Sequence, residues 1–215
     1  MSLSRRGLCT LVALAATGSA GCLDVLSGEP ARFVAPPARV GEDVLEGTDY
    51  ELERTETIEE QRTVEIAAGQ TRDVEVVNRI AEYHKLIDMG PLGEARGAVF
   101  ATLSTPAVEV LGRTFNPIED ADNREIADEA QTQYEEIDIG SEIDRRTVTV
   151  LGEQTELSKF EGEAAFGELG VDVFVHTGVV ESDDEYVVVF GIYPRLLGGE
   201  EESIITLAEG VELED

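Results

Sequence analysis

The chain has 215 residues, and its 46 acidic and 16 basic side chains give a formal net charge of −30. Hydrophobic residues make up 42% of it, which is enough apolar surface for one domain, or at most two, at this length. Such acidity argues against nucleic acid as a partner, because binding a phosphate backbone depends on Lys and Arg releasing its counterions. The same reasoning disfavours direct binding to an anionic membrane surface.

The distribution of charge predicts a folded, salt-adapted protein. The carboxylates are spread between regular apolar runs and do not form one block, which would be typical of a disordered acidic tail. Arginine carries nearly all the positive charge, since Lys85 and Lys159 are the two lysines. At molar salt the Debye length is about 3 Å, so dense surface charge is tolerated there and becomes repulsive in dilute buffer.

The N-terminal residues have the organisation of an export signal. Arg5 and Arg6 directly precede the apolar run 8–16, as in twin-arginine signals. That run is too short to span a bilayer core of about 30 Å. The segment Thr17-Gly18-Ser19-Ala20-Gly21-Cys22 resembles a lipobox, where a precursor is cut and its new N-terminal cysteine is lipidated.

Three regions follow from this interpretation. Residues 1–21 are a twin-arginine-type lipoprotein signal peptide, residues 22–37 an anchor and Pro-containing linker, and residues 38–215 a single domain. Residues 1–21 contain no acidic side chain, so the remaining residues include 14 basic and 46 acidic side chains and have a net charge of −32. We expect Cys22 to attach the protein to the extracellular face of the cell membrane, with two lipid chains because one binds only marginally.

The sequence that follows Cys22 has no second cysteine, because Cys9 lies in the signal. No disulfide within the mature protein is therefore expected.

The first half of the domain has the pattern of a hairpin followed by a strand and a helix. Residues 38–45 predict a short first helix, and the alternating runs 50–67 and 71–86 predict a long hairpin with Gly69 in its turn. Residues 98–103 predict a strand that Ser104-Thr105-Pro106 interrupts. Asn116-Pro117-Ile118-Glu119 then predicts the start of a helix that continues to Ile137.

The second half has the pattern of successive short-turn strands. The runs 146–151, 154–166, 171–180 and 186–193 predict four strands, and short turns imply that neighbours pair antiparallel. Residues 204–208, stopped by Gly210, predict a closing helix. We therefore expect an α+β fold with an antiparallel sheet built from hairpins and with one central and one C-terminal helix packed on it.

Residues capable of catalysis are few. A nucleophile triad needs a histidine beside Ser or Cys and an acid, and the chain has His84 and His176 but no G-x-S-x-G elbow. The alternation 171–176 places His176 on the face opposite Val171, Val173 and Val175, where a solvent-facing or hydrogen-bonded role is expected.

Ligands for a metal or cofactor are also few. Residues 120–124 begin like a calcium loop, but Arg124 stands where a ligand is needed, so Asp122 or Asn123 is interpreted as a helix cap. Asp183, Asp184 and Glu185 are weak candidates for a hard cation in a segment that has the pattern of a solvated turn. Two distant histidines and no thiol pair leave zinc and copper without ligands. We expect no cofactor.

Several short motifs carry a family resemblance. They are the signal and lipobox, Thr48-Asp49-Tyr50, Ser104-Thr105-Pro106, Gly112 followed by Phe115-Asn116-Pro117, Leu151-Gly152 and Tyr193-Pro194. In this combination the protein resembles an uncharacterised family of haloarchaeal lipoproteins containing a domain of unknown function. The resemblance implies source and location and supplies no catalytic residues.

Two functional hypotheses remain from the sequence. The first is a lipid-anchored envelope protein that binds a protein or small-molecule partner. Its candidate groove residues are Tyr83, Phe100, Phe115, Phe174 and Tyr193, although core packing is the expected role of most of them. The second is a surface hydrolase that uses carboxylates and His176.

Overall fold

Long strands dominate the structure. A computed structural model describes residues 30–67, 70–88, 94–110, 113–133, 137–166, 169–182 and 184–214. Its strands are β1 Ala31–Val34, β2 Ala38–Val40, β3 Glu51–Ala67, β4 Gln70–Asp88, β5 Glu94–Pro106, β6 Glu109–Val110, β7 Arg113–Thr114, β8 Ile137–Val150, β9 Glu153–Phe166, β10 Leu169–Ser182, β11 Glu185–Pro194 and β12 Val211–Leu213. Its helices are α1 Glu42–Thr48, α2 Asn123–Gln133 and α3 Glu200–Glu209.

Eight strands form one mixed sheet. Its order is β1-β4-β5-β11-β10-β9-β8, and β3 pairs with β4 as well. Strand β3 pairs along most of β4, while β1 pairs with residues 74–77 and β5 with residues 79–88. Because a strand has two edges, β1 and β5 lie end to end along the edge of β4 that β3 leaves free. Two small sheets, β2–β12 and β6–β7, accompany the large one.

The predicted fold class is wrong. The described part of the protein is mostly β, with a large mixed sheet and three short helices, and does not form an α+β arrangement of helices packed on an antiparallel sheet. Strand β1 breaks the antiparallel pattern because it runs parallel to β4, from the pair Ala31–Val74 to the pair Val34–Val77. These residues of β1 belong to the segment that the sequence assigns to the linker.

One face of the sheet, here called the α3 face, holds the largest core. Tyr83, Phe100 and Val189 lie on it and are at most 1% exposed, and α3 packs on them through Ile204 and Leu207. The close approach requires glycine at position 191, because a Cβ there would lie 2.7 Å from Cγ2 of Ile204. Helix α1 and the β2–β12 pair complete this layer.

The opposite face, here called the α2 face, has two separate cores. Ala127 of α2 packs on Phe160, Val173 and Val175 of the sheet. At the far end, Val74 and Val76 of β4 pack with residues of β1, β3 and the β6–β7 hairpin. Helix α2 contacts β8, β9 and β10, so the two cores are separated by the middle strands.

Helix α2 begins later than predicted. The sequence places its start at Asn116 and Pro117, but the first helical residue is Asn123. Asn116 instead forms a turn, in which its Oδ1 accepts a hydrogen bond from the N–H of Ile118 at 2.9 Å. The predicted cap at Asp122 is confirmed: its Oδ1 accepts from the N–H groups of Arg124 and Glu125, and the Glu125 carboxylate accepts from the N–H of Asp122. This reciprocal pair is a capping box.

Most predicted strands are confirmed. The pairing of β3 with β4 and of β8, β9, β10 and β11 with their neighbours in sequence is antiparallel throughout. Leu151 and Gly152 join β8 to β9 with φ angles of 54° and 83°, which fits a two-residue turn of the I′ type. The closing helix is confirmed as α3, and Gly210 is its C-cap.

Other boundaries differ from the predictions. Ser104-Thr105-Pro106 does not interrupt β5 but ends it, because Pro106 still pairs with Glu185. The predicted first helix at residues 38–45 is instead strand β2 followed by α1. The predicted glycine turn at Gly69 lies outside the described residues.

Candidate functional site

His176 lies under the N-terminus of α3 and not in an open cleft. It is 3% exposed, its ring stacks on Tyr193 at a centroid distance of 5.7 Å, and its Nε2 lies 3.3 Å from the Tyr193 hydroxyl. Burial lowers its pKa to about 4, and the charges of Glu201 and Lys159 modify this value in opposite directions. His176 is therefore neutral near pH 7. Of the two roles expected from the sequence, the structure shows the hydrogen-bonded one and not the solvent-facing one.

A second group of contacts holds the first turn of α3 above Phe174. The Nζ of Lys159 lies 2.6 Å from an oxygen of Glu201 and 4.0 Å from the centre of the Phe174 ring. Arg146 also reaches Glu201, at 3.1 Å. Cations over aromatic faces add stability in partly desolvated positions. This cluster fixes α3 against β8, β9 and β10.

The other lysine makes a matching contact one residue earlier in α3. Glu200 is 8% exposed and accepts a hydrogen bond from the Tyr50 hydroxyl at 3.1 Å, and its other oxygen lies 2.9 Å from the Nζ of Lys85. Lys85 also donates to the carbonyl of Thr48 at 3.1 Å. Burial, followed by the charge of Glu200, raises the pKa of Tyr50.

These two clusters account for both lysines of the protein. Lys85 and Lys159 each bind an acid in the first turn of α3, so they tie the helix to opposite sides of its docking surface. The two lysines and their acids are largely buried and paired with one another. Their arrangement serves the packing of α3.

The acidic turn between β10 and β11 contains one unusual carboxyl. Asp183 lies outside the described residues and Asp184 is exposed. Glu185 is half-buried, and its Oε2 has no hydrogen-bond partner among the residues that the structure describes. Burial, together with the charge of Asp184, raises the pKa of Glu185 to about 7. Within the described ranges, no group of three or more His, Cys, Asp or Glu side chains is arranged to hold a metal ion.

Most of the candidate groove aromatics pack in the cores, as expected from the sequence. Tyr83, Phe100 and Tyr193 are each at most 2% exposed, and Phe115 packs against the Val74–Val76 core. A pocket between β2 and the β3–β4 hairpin has a volume of about 70 Å³. Ligand sites for drug-sized molecules have volumes of about 300–1,000 Å³, so this pocket is too small for such a ligand.

A broad apolar surface lies on the middle of the α2 face. It consists of six half-buried side chains from β4, β5 and β11, here called the central patch: Ile80, Val99, Ala101, Leu103, Phe190 and Ile192. They form contiguous rows, because Leu103 pairs with Ile80, Ala101 with Phe190, and Val99 with Ile192. Cross-strand partners place their side chains on the same face of a sheet.

The two faces of these same strands differ in burial. On the α3 face, Ala81, Ala98, Phe100, Val187 and Val189 are between 0% and 3% exposed. On the α2 face, the six residues of the central patch are only half-buried. Residues 98–103 and 187–192 are apolar on both faces, a pattern typical of strands covered on both sides. The sequence therefore indicates strands that are buried on both faces, but it does not reveal that the α2 face of these strands is only partly covered.

The predicted export and anchor residues lie outside the described residues. This applies to Arg5, Arg6 and Cys22. Within the described ranges, no helix combines the length and apolar character required to cross a membrane.

The protein belongs to a family defined by a domain of unknown function, DUF6517. The match covers residues 37–212, which includes nearly all of the structure from β2 to β12. No curated protein matches the sequence.

Proposed function

We propose that this protein is a lipid-anchored, salt-adapted lipoprotein of the haloarchaeal type. In this proposal it acts as a binding module on the extracellular face of the cell membrane. The export signal and lipobox support the location, and the acidic, lysine-poor composition supports the salt adaptation.

The central patch is the observation that carries the binding role. Isolated apolar residues on a protein surface are ordinary, but a contiguous apolar area rimmed by polar residues marks a site of interaction. Here six such residues occupy three neighbouring strands, while the reverse side of those strands is fully buried. A partner seated on the patch would complete the layer that α2 begins.

The position of His176 does not support the hydrolase hypothesis. A general base must reach the proton that it removes from the substrate, but this histidine is buried between Tyr193 and the first turn of α3. We therefore propose no hydrolytic activity.

The anchor is tested by comparing the wild-type protein with Cys22→Ser in membrane and soluble fractions, with mass spectrometry of the mature N-terminus. We expect a diacylated Cys22 in the membrane fraction and release of the Cys22→Ser protein. A Cys22→Ser protein that stays on the membrane would contradict lipid anchoring.

The salt adaptation is tested by thermal unfolding of the Cys22→Ser protein at KCl concentrations between about 3 M and 0.1 M. Screening decreases over this range, since the Debye length rises from below about 3 Å to about 10 Å. We expect the unfolding temperature to fall and the transition to broaden at low salt. An identical transition across the series would contradict a salt-adapted surface.

A further inference from the structure

We infer that the central patch binds one amphipathic helix of a partner protein, with an apolar stripe on the sheet and lysines or arginines at its margins. This inference rests on the proposed binding function and specifies its surface and its partner. It follows from the dimensions of the patch, the packing of α2 and the charges at the rim.

The patch has the dimensions of a helix site. Neighbouring strands lie about 4.8 Å apart, so the patch spans about 10 Å at Leu103, where Ile80 of β4 joins it, and the four residue steps from Val99 to Leu103 span about 13 Å. Opposite Ala101 the patch is bordered by Glu82 of β4. An α-helix with its side chains is about 10–12 Å wide, and two turns are about 11 Å long. One helix therefore covers the width of the patch, and two of its turns cover the length.

Helix α2 shows how such a helix packs on this face. Its Ala127 is fully buried against Phe160, Val173 and Val175 on β9 and β10. Phe190 and Ile192 of the central patch already touch this core. Among the described elements, no helix makes comparable contact with β4, β5 or β11 on this face. A second helix beside α2 would extend the same packing across the middle strands.

The rim of the patch is acidic at two places. Glu56 is exposed and lies opposite Ile80 in the β3–β4 pairing. At the end of β5, Thr105 lies on the same face as Leu103 and accepts a hydrogen bond from Nδ2 of Asn116 at 3.1 Å. The N–H of Glu119 donates to the Asn116 carbonyl at 3.1 Å, so the exposed Glu119 and Asp120 lie at that end of the patch. The neighbouring cation, Arg54, lies 2.9 Å from Glu82 and 3.8 Å from Glu56, so Glu56 is shared with an arginine of this protein, and Glu119 and Asp120 are the main carboxylates offered to a partner. Lysines or arginines flanking an apolar stripe would find carboxylates there.

The partner class is tested with two labelled synthetic peptides of about 15 residues, near the length at which isolated helices form in water. Both have the same leucine stripe, and their other positions are lysine in one and glutamate in the other. Binding to the full-length Cys22→Ser protein is measured by fluorescence anisotropy in about 2 M KCl. At this salt only charges in direct contact interact appreciably. Tighter binding of the lysine peptide would therefore reflect contacts with the carboxylates at the rim of the patch and not attraction to the net charge of the protein.

We expect the lysine peptide to bind several-fold more tightly than the glutamate peptide. Leu103→Gln should weaken its binding about tenfold, whereas the same change at Leu196, which is 93% exposed and lies outside the patch, should not. Changing Glu119 and Asp120 to their amides should reduce the lysine preference about threefold, with Glu153→Gln as the exposed control. Circular dichroism shows whether each variant is folded.

Four results would overturn the inference. Equal affinity for the two peptides, or no binding of either, would contradict a basic helical partner. Binding that Leu103→Gln leaves unchanged would contradict the central patch as the site. Binding of a labelled fatty acid in place of the peptides, weakened by Leu103→Gln, would assign the patch to an acyl group. None of these results depends on whether Cys22 anchors the wild-type protein, so they are separate from a failure of the anchor experiment.

Discussion

Replacing Lys85 by methionine tests whether the lysine contacts hold α3 in place. The change leaves the Glu200 carboxylate, 8% exposed, with the Tyr50 hydroxyl and without the Nζ at 2.9 Å. Removing one partner of a buried ion pair costs about 3–5 kcal/mol. The Lys85 side chain is 21% exposed, so water relieves part of this cost and we expect a loss of about 2–4 kcal/mol.

Thermal unfolding at constant high salt measures this loss, which corresponds to about 5–15 °C in a domain of this size. Arg32→Met is the matched control, because Arg32 is 52% exposed and its partners Glu59 and Glu75 are 56% and 25% exposed. Ion pairs of such an exposed side chain contribute about 1 kcal/mol or less. The double variant Lys85→Met/Glu200→Gln should recover much of the loss, since no buried charge remains. If Lys85→Met costs no more than Arg32→Met, or the double variant recovers nothing, the assigned role of the pair is wrong.

Three further outcomes are expected. The pKa of His176 is lowered from 6.5 to about 4, so the neutral histidine contributes up to about 3 kcal/mol to the free energy of unfolding above pH 6.5, and this contribution is lost as the pH falls through 4. In His176→Gln, the free energy of unfolding measured in urea should depend less on pH over that range. The pKa of Glu185 is raised to about 7, so the buried carboxyl destabilises the fold when it is charged, above that pH. Glu185→Gln should therefore increase the unfolding midpoint at pH 8 but not at pH 4, and equal effects at both pH values would refute the burial argument. Gly191→Ala should lower the unfolding temperature by forcing Ile204 outward, whereas Gly198→Ala, with open space around its Cβ, should not.

Strand positions followed well from the sequence because period-two alternation is a local signal. The run 171–180 places Val173 and Val175 on one face and His176 on the other, and the structure has this arrangement. Short turns between strands fix antiparallel neighbours. The turn at Leu151 and Gly152 is predictable for the same reason.

The fold class did not follow, because it depends on long-range pairing. Residues 31–34 lie between prolines and resemble a spacer, yet they form a parallel strand against β4. That pairing is possible because β5 pairs with residues 79–88 of β4 and leaves the same edge of residues 74–77 available to β1. The start of α2 was misplaced because asparagine before proline caps a helix and initiates a turn equally well. The hydrogen bonds of Asn116 to Pro106 and Ile118 decide for the turn.

The candidate site was only partly predictable. The two lysines were noticeable as rare residues, but their shared attachment to α3 depends on strands far apart in the sequence. Most of the candidate groove aromatics fill the core, the role expected for most of them, since large apolar side chains bury the most surface. The central patch consists of ordinary apolar residues. They are partly exposed because α2 packs on β8, β9 and β10 and leaves the middle strands uncovered, which the sequence does not show.

Thiol labelling in native membranes is the sharpest test of the binding role. Leu103→Cys and Leu196→Cys would each add one thiol to a mature protein whose own cysteine, Cys22, is expected to be lipidated. The labelling rate of each variant in membranes is divided by its rate in the purified protein. We expect Leu103→Cys to be protected in membranes, where a partner covers the patch, and Leu196→Cys to remain reactive. Equal ratios for the two positions would contradict a binding module that uses the central patch.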